Sequence, residues 1–146
     1  VLPADPNDPA ATALLQASHA LMQSLFSPEE NHFLSIDALC EPHIRFFVAN
    51  NGSATLGCAA LANKGDYGEV KSMFVAPEAR GQGTADALLK TLILSAMDQG
   101  LTEMKLETGD KLAAAHKVYA RHGFALCGPF GDYEENTSSI FMTRPV

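Results

Sequence analysis

At 146 residues, 47% of them hydrophobic and 18% charged, the chain is long enough to bury a core without disulfide or metal staples, and its composition excludes a disordered polymer. A formal net charge of −7, from 17 acids and 10 bases, lacks the Lys/Arg excess that nucleic-acid binding requires and tilts weakly toward cationic small molecules. Cys40, Cys58 and Cys127 are scattered and form no CxxC pair, so neither a disulfide framework nor a metal site is expected, and reduced thiols point to the cytoplasm. No stretch approaches the roughly 18 uninterrupted apolar residues of a membrane span, and the start has no charged-then-apolar signal pattern.

In chain order, "VL" before Pro3 reads as the end of a first strand, and "ADPNDPA" is a turn. From Pro9, the apolar residues Leu14, Leu15, Leu21, Met22 and Leu25 recur at helical spacing. "SPEENHFLSIDALCEPH" mixes a capping pair, Ser27 with Glu30, and two prolines, which predicts short helical pieces in a connection. "IRFFVA" and "ATLGCAALA" read as strands joined by the turn "NNGS", and "NKGDYG" leads into a third strand, "EVKSMFV". Ala85, Leu88, Leu89, Leu92, Ile93 and Ala96 then keep one helix face apolar until "DQG". "TEMKLET" is a strand and "KLAAAHKVYARHG" a helix stopped by Gly123, while "FALCG" and "SSIFMTR" close the chain as strands. The alternation is that of one mixed α/β (α+β) domain over residues 1–146, without repeat or linker.

The stretch between the third strand and the long helix carries chemistry. A strand that feeds a glycine-rich turn opening a helix leaves backbone N–H groups and the positive end of the helix dipole facing whatever sits above them, which suits a phosphate. Gly81 and Gly83 remove obstructing side chains and Arg80 adds a cation. A Walker loop is excluded because no Gly-Lys-Ser/Thr follows, and a dinucleotide fingerprint because Asp86 stands where Gly or Ala is needed.

This stretch, Val75-Ala76-Pro77-Glu78-Ala79-Arg80-Gly81-Gln82-Gly83-Thr84-Ala85, resembles the acetyl-coenzyme A loop of the GCN5-related N-acetyltransferases (GNAT family), Arg/Gln-x-x-Gly-x-Gly/Ala after a strand ending Val-x-Pro. "VYARHGF", with Tyr119 and Phe124, is similar to the family's second motif, and the order of elements resembles that fold over almost the whole chain. Glu107-Thr108-Gly109 and "CGPFGDY" make it most similar to small uncharacterised bacterial members. The resemblance implies a GNAT fold: a single central mixed β-sheet, with parallel cofactor strands that splay apart, flanked by about four helices. It implies acetyl transfer from acetyl-CoA, as co-substrate and without a metal, to the amine of a small molecule by direct attack in a ternary complex. The alternative is a non-catalytic acyl-CoA sensor on the same fold.

On the same resemblance, the backbone of Met73, Phe74 and Val75 would pair with the pantetheine arm and acetyl carbonyl, and residues 80–85, Arg80, Gly81, Gln82, Gly83, Thr84 and Ala85, would hold the pyrophosphate. Leu112 stands where many relatives carry an asparagine, so Lys111 or Thr108 would replace its contact. An ammonium must lose a proton before it attacks a thioester, and the departing thiolate benefits from gaining one. A strand N–H freed by a bulge or splay can bind the carbonyl oxygen. Glu69 occupies the place of the family's general base, against the ordinary reading of an exposed strand-end carboxylate, and Tyr119 matches the thiolate-protonating tyrosine, against a core aromatic. Strand alternation would put Glu69, Lys71, Met73 and Val75 on one face. Phe130 and Tyr133 are placed near the acceptor pocket or, equally, in a loop packed on the sheet. By analogy with relatives, "SSIFMTRPV" is the segment through which a homodimer would pair.

Overall fold

The computed structural model describes residues 1–52 and 54–146; Ser53, at the end of the expected "NNGS" turn, lies outside them. Among the described residues the chain forms one seven-stranded sheet and four α-helices, in the order β1 (Leu2–Pro3), α1 (Pro9–Leu25), α2 (Ile36–Leu39), β2 (Ile44–Asn50), β3 (Thr55–Asn63), β4 (Gly68–Val75), α3 (Thr84–Asp98), β5 (Glu103–Gly109), α4 (Ala113–Arg121), β6 (Ala125–Cys127) and β7 (Ser139–Pro145). The sheet runs β1-β2-β3-β4-β5-β7-β6, and its one parallel pair among the described strands is β4 with β5. The fold is that expected of the sequence, a mixed sheet with helices on both faces.

Each helix is placed by the face it must bury. Pro9 starts α1, where a missing N–H costs nothing, and Ala11, Leu14 and Leu15 lie on one side of it against Phe46, Val48, Cys58, Ala60 and Phe74 of the sheet. On the opposite face Leu88, Leu89, Leu92 and Ala96 of α3, with Tyr119 of α4, pack on Leu61, Val70, Met104 and Leu106. At about 25 cal/mol per Å² of buried apolar surface, these two layers supply the main stabilising term. The central strand β3 is buried on both faces, which is why "ATLGCAALA" is a nearly continuous apolar run with small residues.

Two departures from regular pairing position the site. First, β4 and β5 pair only at Gly68 with Met104 and Glu69 with Lys105, then part. Second, β4 is bulged: Cys58 pairs with Phe74 but Ala60 with Lys71, so Ala59 opposes both Ser72 and Met73, and Ser72 takes φ 56°. The extra residue reverses the alternation expected along this strand. Glu69 and Lys71 pair with Ala62 and Ala60, on the α1 face, whereas Met73 and Val75 pack against the α3 and α4 core. Glu69, Lys71, Met73 and Val75 therefore do not share one face. β7, expected as a pairing segment between subunits, pairs with β5 along its length and with β6 at Phe141, Met142 and Thr143.

Candidate active site

Where β4 and β5 part, the gap between them opens into two cavities that stand out among the described residues. The larger, a groove of about 450 Å³, lies between the end of β4, the start of α3 and the flank of α4, and the end of α1 also borders it. The smaller, about 120 Å³, lies under the connection after α1 and is walled by β4, β5 and α4. Met22, Met73, Leu112, Ala115 and Tyr119 line both, so the cavities meet at the tyrosine and the bulged strand.

The groove is built as its sequence suggests. Gly81 (φ 78°) and Gly83 (φ 80°) are left-handed, which a side-chain-bearing residue adopts at a cost, and a Cβ on either would meet nothing within 4 Å, so the backbone there borders open space. Gly83 caps α3, whose first helical bond runs from Ala87 N–H to the Gly83 carbonyl at 3.0 Å, leaving the N–H groups of Thr84, Ala85 and Asp86 without helical partners. Such a concave, open backbone with an aligned dipole fits a pyrophosphate. Of the residues assigned to the cofactor by sequence, Met73, Phe74, Val75, Arg80, Gly81, Gly83, Thr84, Ala85 and Lys111 line this groove. Gln82 does not, because its amide turns back to the Glu78 carbonyl at 3.3 Å. Arg80 is exposed, its Nε donates to the Val75 carbonyl at 3.3 Å, and its guanidinium sits over the Phe74 ring. The Lys111 ammonium donates to the Leu25 carbonyl at 2.8 Å and thereby ties the start of α4 to the end of α1.

Asp86, in the first turn of α3, had no role in the sequence reading beyond excluding a dinucleotide loop. Its carboxylate accepts from Arg121 Nη2 at 3.0 Å and faces His122 Nε2 at 2.8 Å, which pins the start of α3 to the end of α4 across the groove. The hydrogen bond from His122, then that from Arg121, holds the Asp86 carboxyl below the usual carboxylate range although burial opposes it. His116 is likewise structural, with Nε2 at 2.8 Å from the Gly109 carbonyl. Gly109 has no room for a side chain, since a Cβ there would collide with the Phe26 ring that seals the small pocket.

Tyr119 is buried, stacks edge-to-face on Phe124, and lies at the meeting of the cavities. Burial, and secondarily the charge of Glu107, push its phenol above the usual range, so it holds its proton through neutral and mildly alkaline pH. Glu69 sits differently. It is 4% exposed, lines neither cavity, and is engaged by the Tyr133 hydroxyl at 2.5 Å and the Lys71 ammonium at 3.3 Å. Lys71 in turn donates to Tyr133 at 2.8 Å and to the His32 carbonyl at 3.0 Å, and its side chain does line the small pocket. Phe130 and Tyr133 pack edge-to-face with one another and with or against Phe141, and they also line neither cavity. Burial first, then the Glu69 hydrogen bond, pushes the Tyr133 phenol far up.

The residues that sequence reasoning missed are Glu107 and His32, both walls of the small pocket. Strand alternation of Met104 and Leu106 against Lys105 and Glu107 does mark Glu107 as pointing off the core, but its place beside Tyr119 depends on the splay. Burial lifts the Cys58 thiol to about 12, which leaves it inert as a nucleophile. Among the described residues no helix is long and apolar enough to cross a membrane, and no group of three or more His, Cys, Asp and Glu side chains could hold a metal ion.

Comparison with known proteins gives the same fold. Residues 42–126 fit the family model of the acetyltransferase (GNAT) domain. The IAA acetyltransferase of Azospirillum brasilense is 38% identical over 143 residues, covering 97% of this chain and 94% of that protein. Among solved structures, the putative acyl-CoA N-acyltransferase from Klebsiella pneumoniae superposes with a TM-score of 0.82 at 25% identity, covering 99% of this chain and 94% of that one. A GNAT family acetyltransferase from Elizabethkingia anophelis with acetyl-CoA bound shares the fold at a TM-score of 0.72 and 21% identity, covering 99% of this chain and 96% of that one.

Proposed function

The chain belongs to the GNAT acetyltransferase family and is an acyl-CoA N-acyltransferase, and from that premise we propose that residues 1–146 work as one cytoplasmic domain that moves acetyl from acetyl-CoA to the amine of a small molecule by direct attack. The observation that carries the proposal is the junction of a phosphate-cradling groove and a small polar-walled pocket at Tyr119 and the Ser72–Met73 bulge. The first N–H groups of α3 and the turn at Gly81 and Gly83 hold the pyrophosphate, Arg80 adds charge at its edge, and the backbone of Met73, Phe74 and Val75 borders the pantetheine arm. Holding both reactants in touching cavities converts a two-body encounter into a step within one complex.

Beyond Glu69 the edge of β4 that parts from β5 has no strand partner among the described residues, and a backbone N–H on that edge donates to the thioester oxygen as it gains charge. Tyr119, kept protonated by its burial, gives its proton to the leaving sulfur. Glu69 acts from behind the pocket wall as a positioning residue: with Tyr133 it fixes the Lys71 ammonium and cancels its charge. The acetyl donor and the small-amine acceptor are supported by the sizes of the two cavities and by the acetyl-CoA bound to the Elizabethkingia protein.

Thiol release from acetyl-CoA in the presence of small amines tests this reading. Tyr119→Phe is expected to lower kcat about 100-fold or more while the Kd for acetyl-CoA stays within about twofold. An unchanged kcat would remove Tyr119 from the reaction.

A further inference from the structure

We propose that Glu107 is the catalytic base of this enzyme, the carboxylate that seats the ammonium head of a small primary amine and takes its proton. The inference rests on the acetyl-transfer reading above and adds to it the acceptor's charge class and the residue that recognises it.

Glu107 lies on β5 just past the point where that strand leaves β4, so one edge of its backbone is held by β7, opposite Phe141, while the other borders the gap. Its half-buried side chain lines the small pocket with Tyr119. One carboxylate oxygen is anchored: Ser139 Oγ donates to Oε2 at 2.8 Å, and Asn136 Nδ2 donates to Ser139 Oγ at 3.0 Å. Among the described residues Oε1 accepts no hydrogen bond, so a carboxylate fixed through one oxygen keeps the other unengaged in a residue that lines the cavity meeting the groove. The other titratable groups facing it are differently placed. Lys71 on β4 is neutralised by Glu69 and donates to Tyr133 and His32. Glu30 on the connection spends Oε1 on the Ser27 N–H at 2.8 Å, and Tyr119 on α4 is protonated. His32 adds an imidazole whose Nε2 is buried without a partner. The pocket's uncompensated charge is thus negative, and about 120 Å³ admits a compact head group.

The protons and electrons balance without another reactant. The ammonium gives one proton to Glu107 Oε1, directly or through water, and the nitrogen lone pair forms the C–N bond to the acetyl carbonyl. The C–S bond breaks with its electrons on sulfur, which takes the Tyr119 proton. The second surplus proton on the amide nitrogen returns to Tyr119, and Glu107 releases its proton to solvent.

The test compares wild type with Glu107→Gln and Glu107→Asp, using acetyl-CoA titration calorimetry and thiol release over pH 6 to 10 with a panel of small primary amines. Glu107→Gln is expected to keep its acetyl-CoA affinity and lose about 100-fold or more in kcat at neutral pH, recovering as rising pH supplies free amine. Glu107→Asp, which keeps the charge but withdraws it by one methylene, is expected to lose less and to keep the wild-type shape of the pH profile. If the Gln variant fails to fold, the Asp variant decides alone, and wild-type kcat in either variant overturns the proposal. Wild-type protein that binds acetyl-CoA but turns over none of the amines also overturns it, whereas failure to bind acetyl-CoA overturns the underlying function.

Discussion

At the scale of single residues, a buried carboxylate and two half-buried partners share charge behind the small pocket. Glu69, Lys71 and Tyr133 close a network in which the carboxylate is neutralised by one neighbour and hydrogen-bonded by the other. Such a pair contributes little against an apolar replacement of both members, yet removing one member strands the other charge. Lys71→Met is therefore expected to cost about 3 kcal/mol of stability in denaturant unfolding, and Lys71→Met with Glu69→Gln clearly less. A cost for the single variant below about 1 kcal/mol would contradict the network. Tyr119 and Glu107, by contrast, line cavities, and on the proposed reaction their substitution is expected to show in turnover before stability. The family motif makes Tyr119 legible in the sequence, because a tyrosine followed by Gly-Phe at the end of a helix is a local pattern. The engagement of Glu69 is not legible, since its partner Tyr133 lies 64 residues away and arrives through a loop without periodicity.

Among the elements, the turn from β4 into α3 carries the most predictable consequence. Gly83 holds φ 80° and faces open groove, so Gly83→Val is expected to cost about 1–2 kcal/mol through backbone strain and also to weaken acetyl-CoA binding tenfold or more by filling the cradle. Unaltered affinity in the folded variant would reject the turn as the pyrophosphate site. This turn was readable in advance because its requirements, left-handed glycines and a helix start, are local. The β4 bulge was not. One extra residue at Ser72 leaves no mark in composition, and it turns Met73 and Val75 to the face opposite Glu69 and Lys71. The same limit applies to Phe130 and Tyr133, whose aromatic character announced a wall near the pocket but whose layer, behind Lys71, depends on how a long loop folds back. The order of strands and helices, set by runs of apolar residues that must each be covered, followed the sequence closely.

Across the whole molecule, shifted groups set the pH range in which the fold is stable. The Tyr119 and Tyr133 phenols and the Cys58 thiol are all pushed up, chiefly by burial. A raised folded pKa means that the native state keeps protons the unfolded chain releases, so stability present below about pH 9 to 10 is lost as pH rises beyond it. Asp86 is held low by His122 and Arg121, so its contribution is present above its ordinary pKa and is lost as pH falls below about 4. Denaturation midpoints measured against pH are expected to show both shoulders, with Asp86→Asn flattening the acid one and Tyr133→Phe the alkaline one; unchanged shoulders would contradict these assignments. The same molecule places its two cavities end to end around one tyrosine, and the proposal of acetyl transfer depends on the groove accepting its donor. Calorimetric titration of the purified protein with acetyl-CoA tests that most directly: saturable binding at one site per chain, weakened by Gly83→Val, is the predicted result, and no binding of acetyl-CoA or CoA would contradict it.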